Sequence, residues 1–393
     1  MWTMNRSVRK HNVADGNGLR TGTVLIVTPG GLEHGGGIGR QMGYYLRAYQ
    51  AGQRRLRYRV VDSRGPWYIG SSPLYRAGSV IYFGYAMLTL LRASLSSPCV
   101  AHVNLAGRGS TIRKVILLTV ARALGLRYVL HIHDYDYAQY YRSRGTFLKR
   151  LIATMFRGAA TVVVLGQRDL EVVSQSLQLS WDRMTVLHNA VPDPHPDLDR
   201  TRSARKPCHL LFLGDLSARK GVPELLRAFA SPTMKLRHWR ATLAGGGSID
   251  EFRNLAKDLG ILDRLCFPGW LDQVGVSALC ADADVLVLPS HAEGLAMSVL
   301  EGLSHGLAVV TTPVGAHSEV IESGVSGILV PPGDVAALAD ALVSVTEDER
   351  LRDRLAKGAR DRFLEGFDVR RYAARLGQLH AGLLTPQRNH PNR

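Results

Sequence analysis

The sequence has few of the features that mark secreted, disulfide-bonded or metal-binding proteins. Only four of its 393 residues are cysteine, at positions 99, 208, 266 and 280, and none has CxxC or Cys/His ligand spacing. We therefore expect buried thiols in a reducing compartment and no metal site. Residues 1–20 are polar and charged and lack an apolar core, which argues against a signal peptide. We expect a disordered first segment and a cytoplasmic protein.

Long hydrophobic runs and nucleic-acid motifs are also missing. An uncharged run rich in apolar residues, residues 77–91, has 15 residues and includes three Gly or Ser, which is too short for a good membrane-spanning helix. Such a segment is more often a core helix, and an interfacial helix on a membrane is the alternative. No zinc finger, RNP-like motif or basic heptad region is found, so we do not expect nucleic acid as a partner.

Positive charge is present in excess, and it is unevenly placed. The chain has a net charge of +16, and residues 1–200 hold 26 Lys and Arg against 11 Asp and Glu, whereas residues 201–393 hold 23 against 22. A basic first half suits an anionic membrane or an acidic acceptor. We hypothesise a peripheral contact between this half and an anionic membrane, at the inner face of the cell membrane.

The order of predicted elements indicates two α/β domains. Apolar strands alternate with helices in both halves, which predicts two doubly wound, Rossmann-like parallel sheets that face each other across a cleft. Residues 21–200 form the predicted first domain, and residues 205–368 form the predicted second domain. A stretch rich in Pro, Asp and Arg, residues 193–207, separates them as a predicted linker. A last helix is predicted over residues 369–385.

The chain is organised around residues 284–312, which read as strand, turn, helix and strand. Glu293 precedes the helix and Glu301 lies about two turns inside it, so the two carboxylates are roughly 10 Å apart. The amides of the first helical turn, at Leu295, Ala296 and Met297, would point at an anion. This arrangement suits a nucleotide-sugar, whereas the alternative places Glu293 against the helix dipole and Glu301 on a solvated face.

The same stretch carries a resemblance to a known family. The pattern of Glu, seven residues and Glu within PSHAEGLAMSVLEGLSHG resembles the signature of GT4-type retaining glycosyltransferases with the GT-B fold. The resemblance implies that Glu293 binds hydroxyls of the donor sugar and that Glu301 binds the ribose, with Gly294 in the same turn. It also implies that the last helix crosses back to the first domain.

Other segments match the family in the same order. GDLSARKGVPELLRAFA resembles its GRLxxxKG donor loop, and Arg219 and Lys220 would bind the diphosphate ahead of a helix. Gly245, in ATLAGGG, would lie near the nucleotide base. The glycine-rich loop after the first strand would approach the diphosphate through Gly36 and Gly37, although an Arg at position 40 breaks the GxGxxG register of a dinucleotide site.

Candidates for the acceptor side come from the first domain. The segment VLHIHDYDYAQYY resembles the family segment whose His lies beside the reacting sugar, a role that falls on His133. Arg113 and Lys114 sit at the start of a helix, where cations oppose the helix dipole and suit an anionic acceptor. A solvated basic helix face is the alternative. Tyr137 and Tyr141 could contact an acceptor or serve packing alone.

The resemblance implies a retaining sugar transfer in cell-surface polysaccharide assembly. A UDP- or GDP-linked donor would bind the second domain, and a glycan or a polyprenyl-diphosphate-linked acceptor would bind the first domain. His133, Glu293, Arg219 and Lys220 would form the catalytic centre. Because the two cations would stabilise the leaving diphosphate, we expect neither a metal ion nor a cofactor. A non-hydrolysing sugar-nucleotide epimerase and a non-catalytic GT-B binding protein are the alternatives.

Overall fold

The computed structural model describes residues 22–33, 36–52, 56–65, 73–96, 98–194 and 207–385. Within these ranges the chain forms two six-stranded sheets, and every strand pair within them is parallel. The predicted disordered segment, residues 1–20, lies outside the described residues, as does most of the predicted linker.

The first sheet has the strand order β2-β1-β3-β4-β5-β6. Its strands are largely buried because helices cover both faces, as expected for a parallel sheet. The strands are β1 (Thr23–Thr28), β2 (Arg57–Asp62), β3 (Cys99–Leu105), β4 (Arg127–Ile132), β5 (Thr161–Val164) and β6 (Met184–Val186). The helices are α1 (Gly36–Gly52), α2 (Pro73–Ser96), α3 (Arg108–Ala123), α4 (Tyr137–Arg142), α5 (Thr146–Gly158) and α6 (Gln167–Leu177).

The second sheet has the order β12-β11-β10-β7-β8-β9, with the fully buried strand β10 near its centre. Its strands are β7 (Cys208–Leu213), β8 (Trp239–Ala244), β9 (Leu265–Gly269), β10 (Val285–Leu288), β11 (Ala308–Thr311) and β12 (Ile328–Leu329). The helices are α7 (Val222–Phe229), α8 (Pro232–Lys235), α9 (Ile249–Asp258), α10 (Gln273–Asp282), α11 (Met297–Ser304), α12 (His317–Val320), α13 (Val335–Glu347), α14 (Glu349–Gly366) and α15 (Val369–Leu384).

Helix α15 returns from the second domain and packs on α1 of the first domain, as the sequence predicted. Its Tyr372 ring meets Tyr45 edge-on at a centroid distance of 6.0 Å. His380 Nδ1 lies 3.1 Å from the Tyr58 hydroxyl, and His380 Nε2 lies 3.0 Å from His102 Nδ1 in β3. The predicted GT-B architecture is therefore confirmed.

Helix α2 contains the uncharged run that the sequence left open between core and membrane surface. Ala86 and Leu90 are buried against the first sheet, whereas Ile81 and Tyr85 are 71% and 52% exposed. The helix therefore packs on the core with one face and presents apolar side chains to solvent with the other. Across the described residues, no helix combines the length and apolar character needed to cross a membrane.

A glycine lets α15 approach α1 closely, and this contact can be tested. A Cβ atom on Gly377 would lie 2.7 Å from Cε2 of the buried Tyr49 ring, whereas one on Gly382 would meet nothing within 4 Å. We expect Gly377→Ala to lower the free energy of unfolding by about 1–3 kcal/mol through overpacking. Gly382→Ala should raise it slightly, because alanine favours a helix by about 1 kcal/mol over glycine. Urea denaturation of both variants checks this, and equal effects at the two positions would contradict it.

Candidate functional site

The predicted donor segment lies at the carboxyl end of β10, where ligands collect in parallel α/β sheets. The Thr311 hydroxyl donates to the Leu288 carbonyl at 2.8 Å, and the Thr312 hydroxyl donates to the Ser290 carbonyl at 2.6 Å. Gly315, with φ of 56°, packs so tightly under this loop that a Cβ atom would lie 2.1 Å from the Gly294 carbonyl oxygen. The loop before α11 is thus fixed by backbone contacts.

Glu293 is buried at the base of this loop beside both predicted diphosphate ligands. Its Oε1 lies 2.6 Å from Lys220 Nζ and 3.2 Å from Arg219 Nη1, and Arg219 also donates to the Ala292 carbonyl at 2.8 Å. Burial raises the pKa of Glu293, but Lys220 and Arg219 outweigh burial, so the pKa lies below its ordinary value. The structure therefore holds an ionised carboxylate and two cations in one cluster.

Glu301 is buried inside α11, and its partners come from the other domain. Its Oε1 accepts from Arg40 Nη1 at 3.2 Å and from the Tyr44 hydroxyl at 3.4 Å, both in α1. Burial raises the pKa of Glu301, and Arg40 opposes this effect. Sequence reasoning did not include Arg40 or Tyr44 in the site. The signal was the Arg that interrupts the glycine-rich loop at position 40.

The amides at the start of α11 differ in their partners. Ala296 N–H donates to His317 Nε2 at 3.3 Å. Burial lowers the pKa of His317 to about 4, so its ring is neutral and accepts this bond. The amides of Leu295 and Met297 donate to no other group in the described part of the chain. Two of the three predicted anion-binding amides are therefore available in this structure.

The predicted glycines lie close to the backbone or to the facing domain. Gly36, with φ of 59°, has open space at its Cβ position, and a Cβ atom on Gly37 would lie 4.0 Å from Met297 Cγ in the donor helix. Gly245 has φ of 153°, and a Cβ atom there would lie 1.7 Å from the Gly214 carbonyl oxygen. A Cβ atom on Gly294 would lie 3.6 Å from the His133 carbonyl oxygen. Direct contact of these glycines with a donor stays a prediction.

His133 follows β4 at the carboxyl edge of the first sheet and therefore faces the loop before α11. Its Nε2 lies 2.8 Å from Asn104 Oδ1, and the Asn104 amide group donates in turn to the Val27 carbonyl at 3.4 Å. Burial lowers the pKa of His133 to about 3, so the ring is neutral. The Asn104 contact makes Nε2 the protonated nitrogen and leaves Nδ1 as an acceptor. Sequence reasoning did not identify Asn104.

A column of buried histidines lies behind His133. The His131 ring stacks on His133 at a centroid distance of 4.0 Å, and His131 Nδ1 lies 3.2 Å from His102 Nε2. His102 in turn contacts His380 of α15, and burial lowers the pKa of all these rings. The column connects the crossing helix to the cleft through neutral side chains.

The predicted acceptor residues lie in different environments. Lys114 is fully buried and donates to the Ser63 hydroxyl, and burial together with Arg113 lowers its pKa to about 7. Tyr137 is 1% exposed, and the centre of its ring lies 5.4 Å from the centre of the Phe156 ring. Arg113 and Tyr141 are half-buried. Lys114 and Tyr137 therefore offer no surface to a ligand in this structure, and an acceptor role for the four residues stays a prediction.

Further contacts join the two domains along the cleft. The Arg219 guanidinium lies 5.6 Å from the centre of the Tyr135 ring. Glu319 accepts from the Gln167 amide at 2.7 Å, at the start of α6, and lies 2.9 Å from His188 Nε2. Among the described residues, no group of three or more His, Cys, Asp or Glu side chains could hold a metal ion.

Comparison with known proteins shows what the second domain is similar to. Residues 197–362 match the family model described as glycosyl transferases group 1. The second domain is therefore similar to the group 1 glycosyltransferases. The match includes Glu293, Glu301, Arg219 and Lys220, the cluster described above.

Two curated relatives and one solved structure show how far the similarity extends. The chain is 32% identical over 200 residues to glycogen synthase from Mycobacterium tuberculosis. These 200 residues cover 50% of this chain and 48% of that protein. The chain thus spans about half the length of this relative. It is 26% identical over 324 residues to alpha-D-kanosaminyltransferase from Streptomyces kanamyceticus, covering 78% of this chain and 82% of that protein. Anabaena HepE in complex with UDP and glucose has a TM-score of 0.69, with 16% identity over 92% of this chain and 99% of that chain.

The second domain meets the first domain near a carboxyl group whose protonation can be tested. Burial and the nearby Glu319 raise the pKa of Asp169, in the first turn of α6, to about 7. When the pKa of a carboxyl group is higher in the folded state than in the unfolded state, its contribution to stability is fully present below the unfolded-state pKa of about 4. This contribution is lost as the pH rises through the folded-state pKa of about 7. Asp169→Asn should therefore stabilise the protein more at pH 8 than at pH 5, by about 1–3 kcal/mol.

Urea denaturation at the two pH values measures this difference, and Asp258→Asn on an exposed helix end is the matched control. An Asp169→Asn effect of the same size at pH 5 and pH 8 would show that burial does not control this carboxyl group.

Proposed function

We propose that this protein is a retaining glycosyltransferase that moves a sugar from a UDP- or GDP-linked donor to a glycan or a lipid-linked acceptor. One observation carries the proposal: a buried Glu293 held by Lys220 and Arg219 at the start of a helix, opposite His133 of the facing domain. This cluster combines a hydroxyl acceptor, two diphosphate ligands and a neutral imidazole at one place in the cleft. The names of the relatives, and the UDP and glucose bound to HepE, agree with such a donor.

The roles of the residues follow from their charges. The donor diphosphate would take Lys220 and Arg219 as partners, and Glu293 would then accept hydrogen bonds from hydroxyls of the sugar. Glu301 would bind the ribose hydroxyls in place of Arg40 and Tyr44. His133 would accept a hydrogen bond from the sugar through Nδ1, because Asn104 occupies its Nε2.

In the transfer step, the bond between the anomeric carbon and the diphosphate oxygen breaks while the acceptor oxygen bonds to the same carbon. Negative charge develops on the departing diphosphate, and the cations beside it stabilise this charge. We assign no side chain as nucleophile, since Glu293 would be occupied by hydrogen bonds from the sugar hydroxyls. The acceptor proton passes to the departing phosphate on the same face of the sugar, which retains the anomeric configuration.

We also propose that the first domain contacts an anionic membrane at the inner face of the cell membrane, where a polysaccharide precursor would be met. Helix α2 exposes Ile81, Tyr85 and Leu88 at spacings of four and three residues, so these side chains lie along one face of the helix. The edge strand β2 beside it exposes Arg57 and Arg59, and Arg59 donates to the Tyr85 hydroxyl at 3.2 Å. An apolar stripe next to cations favours the surface of an anionic bilayer.

The metal-free chemistry is tested by the rate of nucleoside diphosphate release. With UDP- and GDP-sugars as donors, the parent protein should keep its rate in EDTA. Lys220→Met should lose about 3 kcal/mol or more of transition-state stabilisation. Arg219→Lys should also slow the reaction, because an ammonium group cannot make a forked contact. The exposed Lys257→Met is the control. Complete loss of parent activity in EDTA, restored by Mg²⁺ or Mn²⁺, would refute metal independence, and no release with any donor would refute the transferase.

Membrane contact is tested by cosedimentation with vesicles of anionic phospholipid at low and high salt. Each surface Arg contributes about 1 kcal/mol at low salt, so Arg57→Gln combined with Arg59→Gln should weaken binding, as should Ile81→Asp. Val274→Asp, at an exposed apolar position of the second domain, should leave binding unchanged. Equal binding to neutral vesicles, or none to anionic ones, would refute this contact.

A further inference from the structure

A cavity of about 410 Å³ opens between the start of α3 and helix α4, beside the proposed reaction centre. Its lining includes the cations Arg108 and Arg144, the carboxylate of Asp136 and the ring of Tyr140. The volume lies within the range of small-molecule sites. The residues that the sequence proposed for an acceptor, Arg113 and Lys114, follow on the same helix but do not line this cavity.

The two arginines are positioned for a ligand. Arg108 has φ of 36°, which is uncommon for a residue with a side chain, and its exposed guanidinium forms no hydrogen bond or ion pair with any described residue. The Arg144 guanidinium lies 4.8 Å from the centre of the Tyr140 ring, and the Tyr140 hydroxyl donates to the Arg108 carbonyl at 3.3 Å. The buried Tyr140 thus contacts the guanidinium of Arg144 with its ring and the backbone of Arg108 with its hydroxyl.

The cavity lies next to the place where the donor sugar would react. Asp136 is three residues beyond His133, so their Cα atoms are at most about 11 Å apart. Tyr135, between them, faces the Arg219 guanidinium of the donor loop at 5.6 Å. The turn of residues 133–136 therefore borders the cavity through Asp136 and the loop that carries Arg219 through Tyr135.

The side chains in the cavity select a class of molecule. Arginines bind phosphate through forked hydrogen bonds, and Asp136 with Gln139 can bind sugar hydroxyls. The ring of Tyr140 supplies an apolar wall. The Asp136 carboxylate would repel an anion placed against it, so we expect the phosphate to bind the two arginines and the sugar hydroxyls to bind Asp136.

We infer that this cavity is the acceptor subsite of the proposed transferase and that it takes a phosphorylated sugar, with the phosphate between Arg108 and Arg144. The inference rests on the proposed function. The same chemistry is offered by a free sugar phosphate and by a sugar carried on a lipid phosphate. Ile112, which lines the cavity and is 48% exposed, lies beside the path that a lipid chain would take to the surface.

Calorimetric titration with glucose 1-phosphate, without any donor, tests the site. The parent should bind glucose 1-phosphate more tightly than glucose. Arg108→Gln and Arg144→Gln should each weaken binding of the phosphate by roughly tenfold or more, since each removes charge-assisted hydrogen bonds. Arg142→Gln is the matched control. This exposed arginine lies two residues before Arg144, contacts Ser176 and does not line the cavity.

A second arm uses vesicles that contain an isoprenyl phosphate to separate the two sources. If the parent protein binds these vesicles but not glucose 1-phosphate, and the combined Arg108→Gln and Arg144→Gln variant does not bind them, the site is assigned to a lipid phosphate. Three results would overturn the inference. They are a probe that binds this variant as well as it binds the parent, no binding of either probe to the parent, and equal affinity of the parent for glucose and glucose 1-phosphate. Titration of the same variants with UDP and GDP reports on the donor site alone. Normal nucleotide binding beside a failed phosphate test would refute the subsite and leave the proposed function standing.

Discussion

The ion pair between Glu293 and Lys220 is the interaction on which the proposed donor site depends. A buried carboxylate is costly unless a cation or several donors compensate it, and here Lys220 lies 2.6 Å away with Arg219 at 3.2 Å. Removing one partner of such a pair typically costs about 3–5 kcal/mol, because the other charge stays buried. The pair therefore compensates the charge of Glu293 inside the loop. In the proposed function, a donor would displace the pair only by supplying both an anion for the cations and hydroxyls for the carboxylate.

Glu301 and Glu319 extend this constraint to the relation between the domains. Each belongs to the second domain and is partnered from the first, Glu301 by Arg40 and Tyr44 and Glu319 by the first amides of α6. In the proposed function, a ribose bound to Glu301 would compete with these contacts between the domains. Occupation of the proposed donor site would then be coupled to the position of the domains through one carboxylate.

Sequence reasoning was most accurate where function depends on residues that are neighbours in the chain. The predicted helix after Glu293 is α11, and the predicted last helix is α15, because both follow uninterrupted apolar patterns. Arg219 and Lys220 were placed before a helix, and the structure has them directly before α7. The environment of Lys114 was harder to predict. Its position at a helix start suggested a solvated cation, but the chain buries it against Ser63, 51 residues away.

The sequence by itself determined the two parallel sheets, the last helix and the spacing of Glu293 and Glu301 along the chain, because period, spacing and turn residues are local properties. The crossing of the last helix to the first domain followed from the family resemblance. The tertiary structure alone decided that Arg40 meets Glu301 across 261 residues, that Asn104 fixes the protonated nitrogen of His133, and that Arg108 and Arg144 share one cavity. These contacts arise where elements distant in the chain converge at the carboxyl edges of two sheets. Side-chain periodicity specifies which face of an element is buried, but it does not specify which distant side chain that face will meet.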